Sequence, residues 1–448
     1  MRPNRPHHHH RSREVGVLLQ DETARRTLIP EANRTALATD DALPVEAQPD
    51  RMTTQIHLPA PHQNPAASPP RRFTATAAAL VAAAVLVVTG CGSASTAEAP
   101  RPTEPGDSIV DRGSLQTELD DLVVLGVPGV VVMVRDDDQS VVLTAGVSDL
   151  EAGTQMSADA KFRIASLTKP YVASVVLQLV AEGTLGLDDT VQQWLPGIVT
   201  GADRISIRQL LGHTSGVADY FNDPAVLEPY LAGDYEYVWT PQQLIEIAEQ
   251  LGATSEPGTE WSYSNTNYAI AGLMVEQATG RTLGEEMQTR IFDALGLENT
   301  TFAIDTDLDP QMAHGYLMDG GDSIDVSGVY PFPWGAGNIV SDAADTATFY
   351  GALLGGEVVE PALLDEMMPV IADDVEPYGL GLMAWEMSCG VAYGHDGGFA
   401  GYSTRSLVLD DGRQVVILSN SITTDDHVAA DPAADAQYDA LIDAAMCG

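Results

Sequence analysis

From Ser114 to Leu125 apolar residues recur at helical spacing. Gly129 to Val134 and Ser140 to Gly146 are apolar runs separated by Asp136-Asp137-Asp138. This pattern predicts a helix leading into a β-hairpin. The far end of the chain mirrors it. Tyr402 to Leu409, the turn Asp410-Asp411-Gly412 and Arg413 to Ser419 predict a second hairpin, and Asp435 to Met446 predicts a closing helix. Both ends therefore supply strands and a helix, most simply to one antiparallel sheet. Between them Ile207 to Leu211, Pro241 to Leu251, Tyr268 to Thr279, Gly284 to Leu295 and Asp342 to Leu354 have helical character, joined through Gly, Pro, Asp and Asn. An α+β architecture with an inserted, mostly helical region follows, and active sites tend to lie where such parts meet.

The chain is organised around a stretch from Phe162 to Gly183 whose second half is long and almost free of charge. That half reads as a buried helix closed by Gly183, and Pro170 fits only near the first turn, where a missing N–H is harmless. That places Ser166 at or just before the helix start, with Lys169 one turn on. Residues three apart share a helix face and differ by about 4.5 Å of rise, so hydroxyl and amine can touch. A serine becomes nucleophilic when a neighbouring base takes its proton, and free N–H groups at a helix start suit a developing oxyanion. Lys161 and Lys169 are the only lysines in 448 residues, which makes a chance Ser-x-x-Lys improbable.

Upstream, residues 1–70 show little apolar periodicity and are expected to be a disordered extension, His7 to His10 included, with Met52 as an alternative start. Arg71-Arg72 followed by the apolar run Phe73 to Val88 reads as a signal segment, too short for a membrane span. Its end, Val88-Thr89-Gly90-Cys91, resembles a bacterial lipobox. Residues 71–91 are thus expected to export the protein, either as a lipoprotein anchored through Cys91 on the outer face of the membrane or in secreted form. Residues 92–113, small, polar and Pro-rich, read as a linker to a domain over 114–448. With Cys91 lipidated, Cys389 and Cys447 remain, and an oxidising compartment predicts a disulfide between them. The net charge of −42 opposes binding to nucleic acid or anionic lipid headgroups, so membrane contact is expected through the lipid anchor only. No metal-ligand cluster, nucleotide loop or cofactor motif is visible, and a monomer is expected.

Three further stretches complete a constellation. Tyr263-Ser264-Asn265 gives Tyr-x-Asn, and His395-Asp396-Gly397 gives His-x-Gly ahead of the last hairpin. Leu211-Gly212-His213-Thr214-Ser215-Gly216 reads as a structural turn rather than a catalytic pair. Ordered Ser-x-x-Lys, Tyr-x-Asn and His-x-Gly over 114–448 resemble the serine D-alanyl-D-alanine carboxypeptidases and class C β-lactamases, in particular the actinobacterial extracellular DD-peptidases. The resemblance implies a five-stranded antiparallel sheet flanked by N- and C-terminal helices, beside an all-helical region. It also implies Ser166 as acylated nucleophile, Lys169 as its proton-accepting neighbour and Tyr263 as general acid/base. Asn265 would bond the substrate amide. His395 and Asp396 would contact substrate, Trp334 would form a wall of the cleft, and the N–H groups of Ser166 and Gly398 would form the oxyanion hole.

Whether Lys169 or Tyr263 is the working base stays open. A neutral lysine requires desolvation, and an acidic protein opposes that. Two departures bear on substrate. Asp396 stands where the carboxypeptidases have Thr, and the preceding segment, Tyr378 to Ser388, carries Met383 and no Lys or Arg. A substrate carboxylate would then meet a negative charge in place of a clamp, at a cost of several kcal/mol, unless Arg405 substitutes. The expected enzyme is a serine hydrolase of D-alanyl-D-alanine peptides or β-lactams. Its alternatives are an esterase or D-amino-acid amidase, and a penicillin-binding sensor without turnover.

Overall fold

Two hairpins from opposite ends of the chain meet in one antiparallel sheet. The computed structural model describes residues 110–448 apart from 138, 307–308, 320–321, 370–376, 424–427 and 430; the expected signal segment, Cys91 and most of the linker lie outside the described residues. The elements that frame the molecule are helix α1 (Arg112–Val124), strands β1 (Gly129–Asp136), β2 (Gln139–Asp149) and β3 (Thr154–Gln155), helices α2 (Thr168–Ala181), α3 (Asn265–Thr279) and α4 (Ala343–Leu354), strands β4 (Met383–Met387), β5 (Gly390–Phe399), β6 (Tyr402–Leu409) and β7 (Gln414–Ser419), and helix α5 (Ala433–Cys447). The sheet order is β3-β2-β1-β7-β6-β5-β4.

The sheet has seven strands, which corrects the expected five. The five long strands lie together in the middle, and a short strand has been added at each edge. A two-residue strand such as β3 has no periodicity to read, and short edge strands leave little unpaired backbone for another chain to find.

Both faces of the sheet are covered, so β1 reads as an unbroken apolar run rather than an alternating one. Val130, Val132 and Val134 join Val415, Ile417, Leu407 and Ala392 under α1 and α5. Val131, Met133, Val416 and Val408 face α2 and α4 in the larger core. Tyr171 of α2 stacks on Phe349 of α4 with ring centroids 3.4 Å apart. The terminal helices are held to each other, with Gln437 donating to the Glu118 carbonyl at 3.3 Å. The expected disulfide is present: Cys389, in the turn between β4 and β5, is bonded to Cys447 at the end of α5. Among the described residues no helix is long and apolar enough to cross a membrane.

Candidate active site

Two helix starts and one strand end converge on Ser166. The serine lies in a single 3₁₀ turn, Ala165–Leu167, that leads into α2. Ala165 is held at φ 49°, a conformation that costs an L-residue about 1 kcal/mol and persists where the surroundings impose it. Lys169 follows in the first turn of α2 and is fully buried, whereas Ser166 is half-buried and reachable. Lys169 Nζ lies 2.8 Å from Ser166 Oγ, 2.9 Å from Asn265 Oδ1 and 3.1 Å from the Ala336 carbonyl oxygen. The two carbonyl oxygens can only accept, so each takes an N–H from the amine, which also reaches the serine oxygen.

The second helix start is that of α3. Asn265 is its first residue and Ser264 its N-cap. Tyr263, one residue earlier, donates its hydroxyl to Ser166 Oγ at 3.1 Å, and its ring lies 4.8 Å from Lys169 Nζ. Asn265 Nδ2 donates to Asp219 Oδ2 at 2.8 Å, which turns Oδ1 toward the lysine. Burial raises the pKa of Asp219, opposed by its bonds from Phe221 N–H and Asn265 and by the charge of Lys169. The Asn265 amide is therefore occupied at both ends by Lys169 and Asp219.

The strand end is the C-terminal half of β5. A Cβ on Gly397 would fall 2.8 Å from Ser166 N and 2.8 Å from the Ile164 carbonyl, so only glycine lets the strand approach the serine backbone this closely. Gly398 follows. His395 is buried, donating from Nδ1 to the Asp396 carbonyl at 2.5 Å and accepting at Nε2 from the Tyr378 hydroxyl at 3.0 Å. Burial is the largest cause pushing its pKa down, to about 4; the Asp396 carboxylate opposes this and Lys169 adds to it.

Asp396 is not where the sequence reading put its charge. Neighbouring residues of a strand point to opposite faces. Asp396 pairs across the ladder with Arg405, their charged groups 3.6 Å apart, and its other carboxylate oxygen is 3.8 Å from His395 Nδ1. Arg405 is not a clamp in the cleft either. Its guanidinium lies between the rings of Trp385 and Tyr438, 5.7 and 5.6 Å away, and 3.5 Å from Asp439 of α5. Trp334 sits in a 3₁₀ turn at φ 51°. Its ring packs on Gly272, where an added Cβ would come within 2.6 Å of it, and against Phe302 at 6.5 Å. That segment reaches the site through the Ala336 carbonyl.

The structure thus gathers Ser166, Lys169, Tyr263 and Asn265 in direct contact, brings His395, Gly397 and Gly398 alongside, and places the Arg405 guanidinium beside α5 and the Trp334 ring against Gly272 and Phe302. Sequence reading missed Asp219, Ala336 and Tyr378. A backbone carbonyl carries no side-chain signature, and Asp219 lies 46 residues from its partner Asn265. Chemically, the arrangement can take a proton from the Ser166 hydroxyl and return one through a phenol on the same oxygen.

The Beta-lactamase family profile matches residues 116–440. Penicillin-binding protein 4* of Bacillus subtilis (strain 168) is 29% identical over 301 residues, a stretch covering 61% of this chain and 64% of that protein. A D-stereospecific amidohydrolase from Streptomyces sp. shares the fold with a TM-score of 0.67 and 35% identity over 75% of this chain and 99% of that one. The D-amino acid amidase of Ochrobactrum anthropi SV3, solved with L-phenylalanine amide, follows with a TM-score of 0.66 and 26% identity over 74% and 97%. With its profile matched across most of the chain and its fold shared, the chain belongs to the Beta-lactamase family of serine hydrolases.

Proposed function

We propose that this protein opens amide bonds of D-configured acyl donors through an acyl-enzyme on Ser166, with leaving groups that carry no carboxylate. The observation that carries the reading is Ser166 Oγ held between Lys169 Nζ and the Tyr263 hydroxyl. The Ser166 proton passes to Lys169 as Oγ attacks the carbonyl carbon. The oxyanion is met by the N–H groups of Ser166 and Gly398. Tyr263 protonates the departing nitrogen and recovers a proton from Lys169, and the amine leaves. Water then adds to the acyl ester, giving up its proton along the same path in reverse, and Ser166 departs.

Two features support the choice of leaving group. His395, held neutral by burial, offers a carboxylate no charge, and Arg405 is engaged with Asp439 and two rings beside α5. The names of the Streptomyces amidohydrolase and the Ochrobactrum amidase point the same way. Activity on D-alanyl-D-alanine peptides or β-lactams is the second reading, favoured by the likeness to penicillin-binding protein 4*. Export through residues 71–91, with Cys91 lipidated, belongs to the proposal, and the Cys389–Cys447 disulfide fits an oxidising compartment.

Intact-mass detection of the acyl-enzyme tests it, using D-phenylalanine amide, a p-nitrophenyl ester, diacetyl-Lys-D-Ala-D-Ala and a panel of β-lactams. Turnover of the D-amide ahead of the peptide, abolished in Ser166→Ala, is the expected result. Turnover of the peptide alone would replace the first reading by the second, and no adduct with any compound would overturn both.

A further inference from the structure

His213 lies in the turn read from the sequence as structural, yet it holds the backbone on both sides of Tyr263. Its carbonyl accepts from Ser262 N–H at 2.9 Å, and its ring Nδ1 accepts from Ser264 N–H at 3.1 Å. Its ring lies against the Tyr263 ring, centroids 4.3 Å apart. A backbone N–H can only donate, so Nδ1 carries no proton and the neutral ring holds its hydrogen on Nε2. Asn267 Nδ2 approaches the same nitrogen at 3.1 Å, while Asn267 Oδ1 accepts from Ser215 Oγ at 2.6 Å. Nε2 meets no hydrogen-bond acceptor among the described residues, and the rings of Tyr378, Tyr268 and Trp261 stand 4.7, 5.5 and 6.3 Å from the imidazole. His213 is wholly buried and sits at φ 56°, a conformation few side chains accept.

We propose that His213 is a positioning residue for the reaction. Through Nδ1 and its carbonyl it fixes the Ser262–Ser264 backbone and hence the direction of the Tyr263 hydroxyl toward Ser166 and the leaving group. This rests on the acyl-enzyme reading above. The cost of losing it falls on proton delivery rather than on nucleophilic attack in general. An amide nitrogen needs a proton to leave; a p-nitrophenolate does not.

The test compares His213→Gly with His213→Asn, two residues that both accept positive φ, so that backbone strain does not differ between them. Asn keeps an acceptor near the place of Nδ1; Gly has none. Each variant is assayed on D-phenylalanine amide and on p-nitrophenyl acetate, with rates divided by the fraction of enzyme that acylates by intact mass. In His213→Gly the amide kcat is expected to fall roughly 10²-fold and the ester kcat less than tenfold, with KM for the amide within about threefold. His213→Asn should return the amide-to-ester ratio to within about threefold of wild type. Equal loss on both substrates, or an Asn variant as skewed as the Gly variant, would overturn the role. If His213→Gly does not fold, the Asn variant against wild type decides: a preserved ratio supports the proposal and a collapsed one sinks it. Wild-type enzyme that turns over neither compound removes the amide-hydrolase reading, and this inference with it.

Discussion

Lys169 and Arg405 are both largely buried basic side chains close to β5, and they are held in opposite ways. Lys169 has no solvent exposure, and it hydrogen-bonds a hydroxyl, an amide oxygen and a backbone carbonyl, all neutral groups. Arg405 lies between two rings and two carboxylates, Asp396 and Asp439. An amine ringed by neutral acceptors is available to exchange a proton with the one hydroxyl among them. A guanidinium stays charged and, once neutralised by carboxylates, joins elements together. The α2 face of the sheet is thus built for chemistry and the α5 face for cohesion.

The sharpest way to break this contrast is Lys169→Met, which keeps the stem and removes the amine. Amide turnover should drop by about 10⁴-fold or more, with the protein still folded by circular dichroism. A loss below tenfold would leave Tyr263 as base without the lysine. On the cohesive side, Cys389→Ser opens the staple between the β4–β5 turn and α5. The closed loop spans 58 residues, so the chain-entropy model gives about 4 kcal/mol of lost stability. Urea unfolding should show it as a lower midpoint, while kcat below the transition stays near wild type. A kcat that falls while the variant is still folded would mean that the α5 face reaches the chemistry.

How much of this was legible depends on range. Ser166 and Lys169 are three apart on a helix, and Tyr263 and Asn265 bracket a helix start, so local geometry alone constrains each pair. The cystine followed from scarcity of cysteine. Of the inner strands, β1, β2, β6 and β7 were readable because their apolar runs are long; β5 was not, because Gly394, His395, Asp396, Gly397 and Gly398 interrupt its pattern, nor were β3 and β4, because short edges carry little pattern. Asp396 was misplaced for an avoidable reason. With His395 assigned to the cleft, strand alternation already required its neighbour to face the other way. His213 was set aside because His-Thr-Ser-Gly looks like a turn, which it is, and nothing in the spacing reveals that the turn grips the backbone of a residue 50 positions later. Asp219 and the Ala336 carbonyl are tertiary facts with no local trace.

A smaller effect sharpens the comparison through pH. Burial places the His395 pKa at about 4, against 6.5 for an exposed imidazole. The folded state therefore binds fewer protons than the unfolded chain across this window. The neutral ring's contribution is complete above pH 6.5 and is lost as pH falls toward 4, a change of about 3 kcal/mol. Tm should drop steeply over that interval. His395→Gln should flatten the slope in part, since burial shifts His213 in the same direction. An unchanged slope in the variant would mean that His395 is not the group being titrated.

The smallest effect decides whether Arg405 belongs to cohesion alone. Met in its place keeps much of the apolar stem but loses the rings' cation and both carboxylate partners. Those ion pairs are long, 3.5 and 3.6 Å, and Asp439 is mostly exposed, so they contribute little. The contact with Trp385 and Tyr438 adds about 0.5–1 kcal/mol, and the buried Nε without a hydrogen-bond partner offsets part of that. Arg405→Met should therefore lower stability by roughly 1 kcal/mol or less. The ratio of kcat/KM for D-phenylalanine amide to that for diacetyl-Lys-D-Ala-D-Ala should stay within about twofold, because the removed charge faces α5. A tenfold fall in peptide cleavage with the amide unaffected would show the guanidinium gripping a substrate carboxylate. The division between a chemical face and a cohesive face would then fail at the residue that defines it.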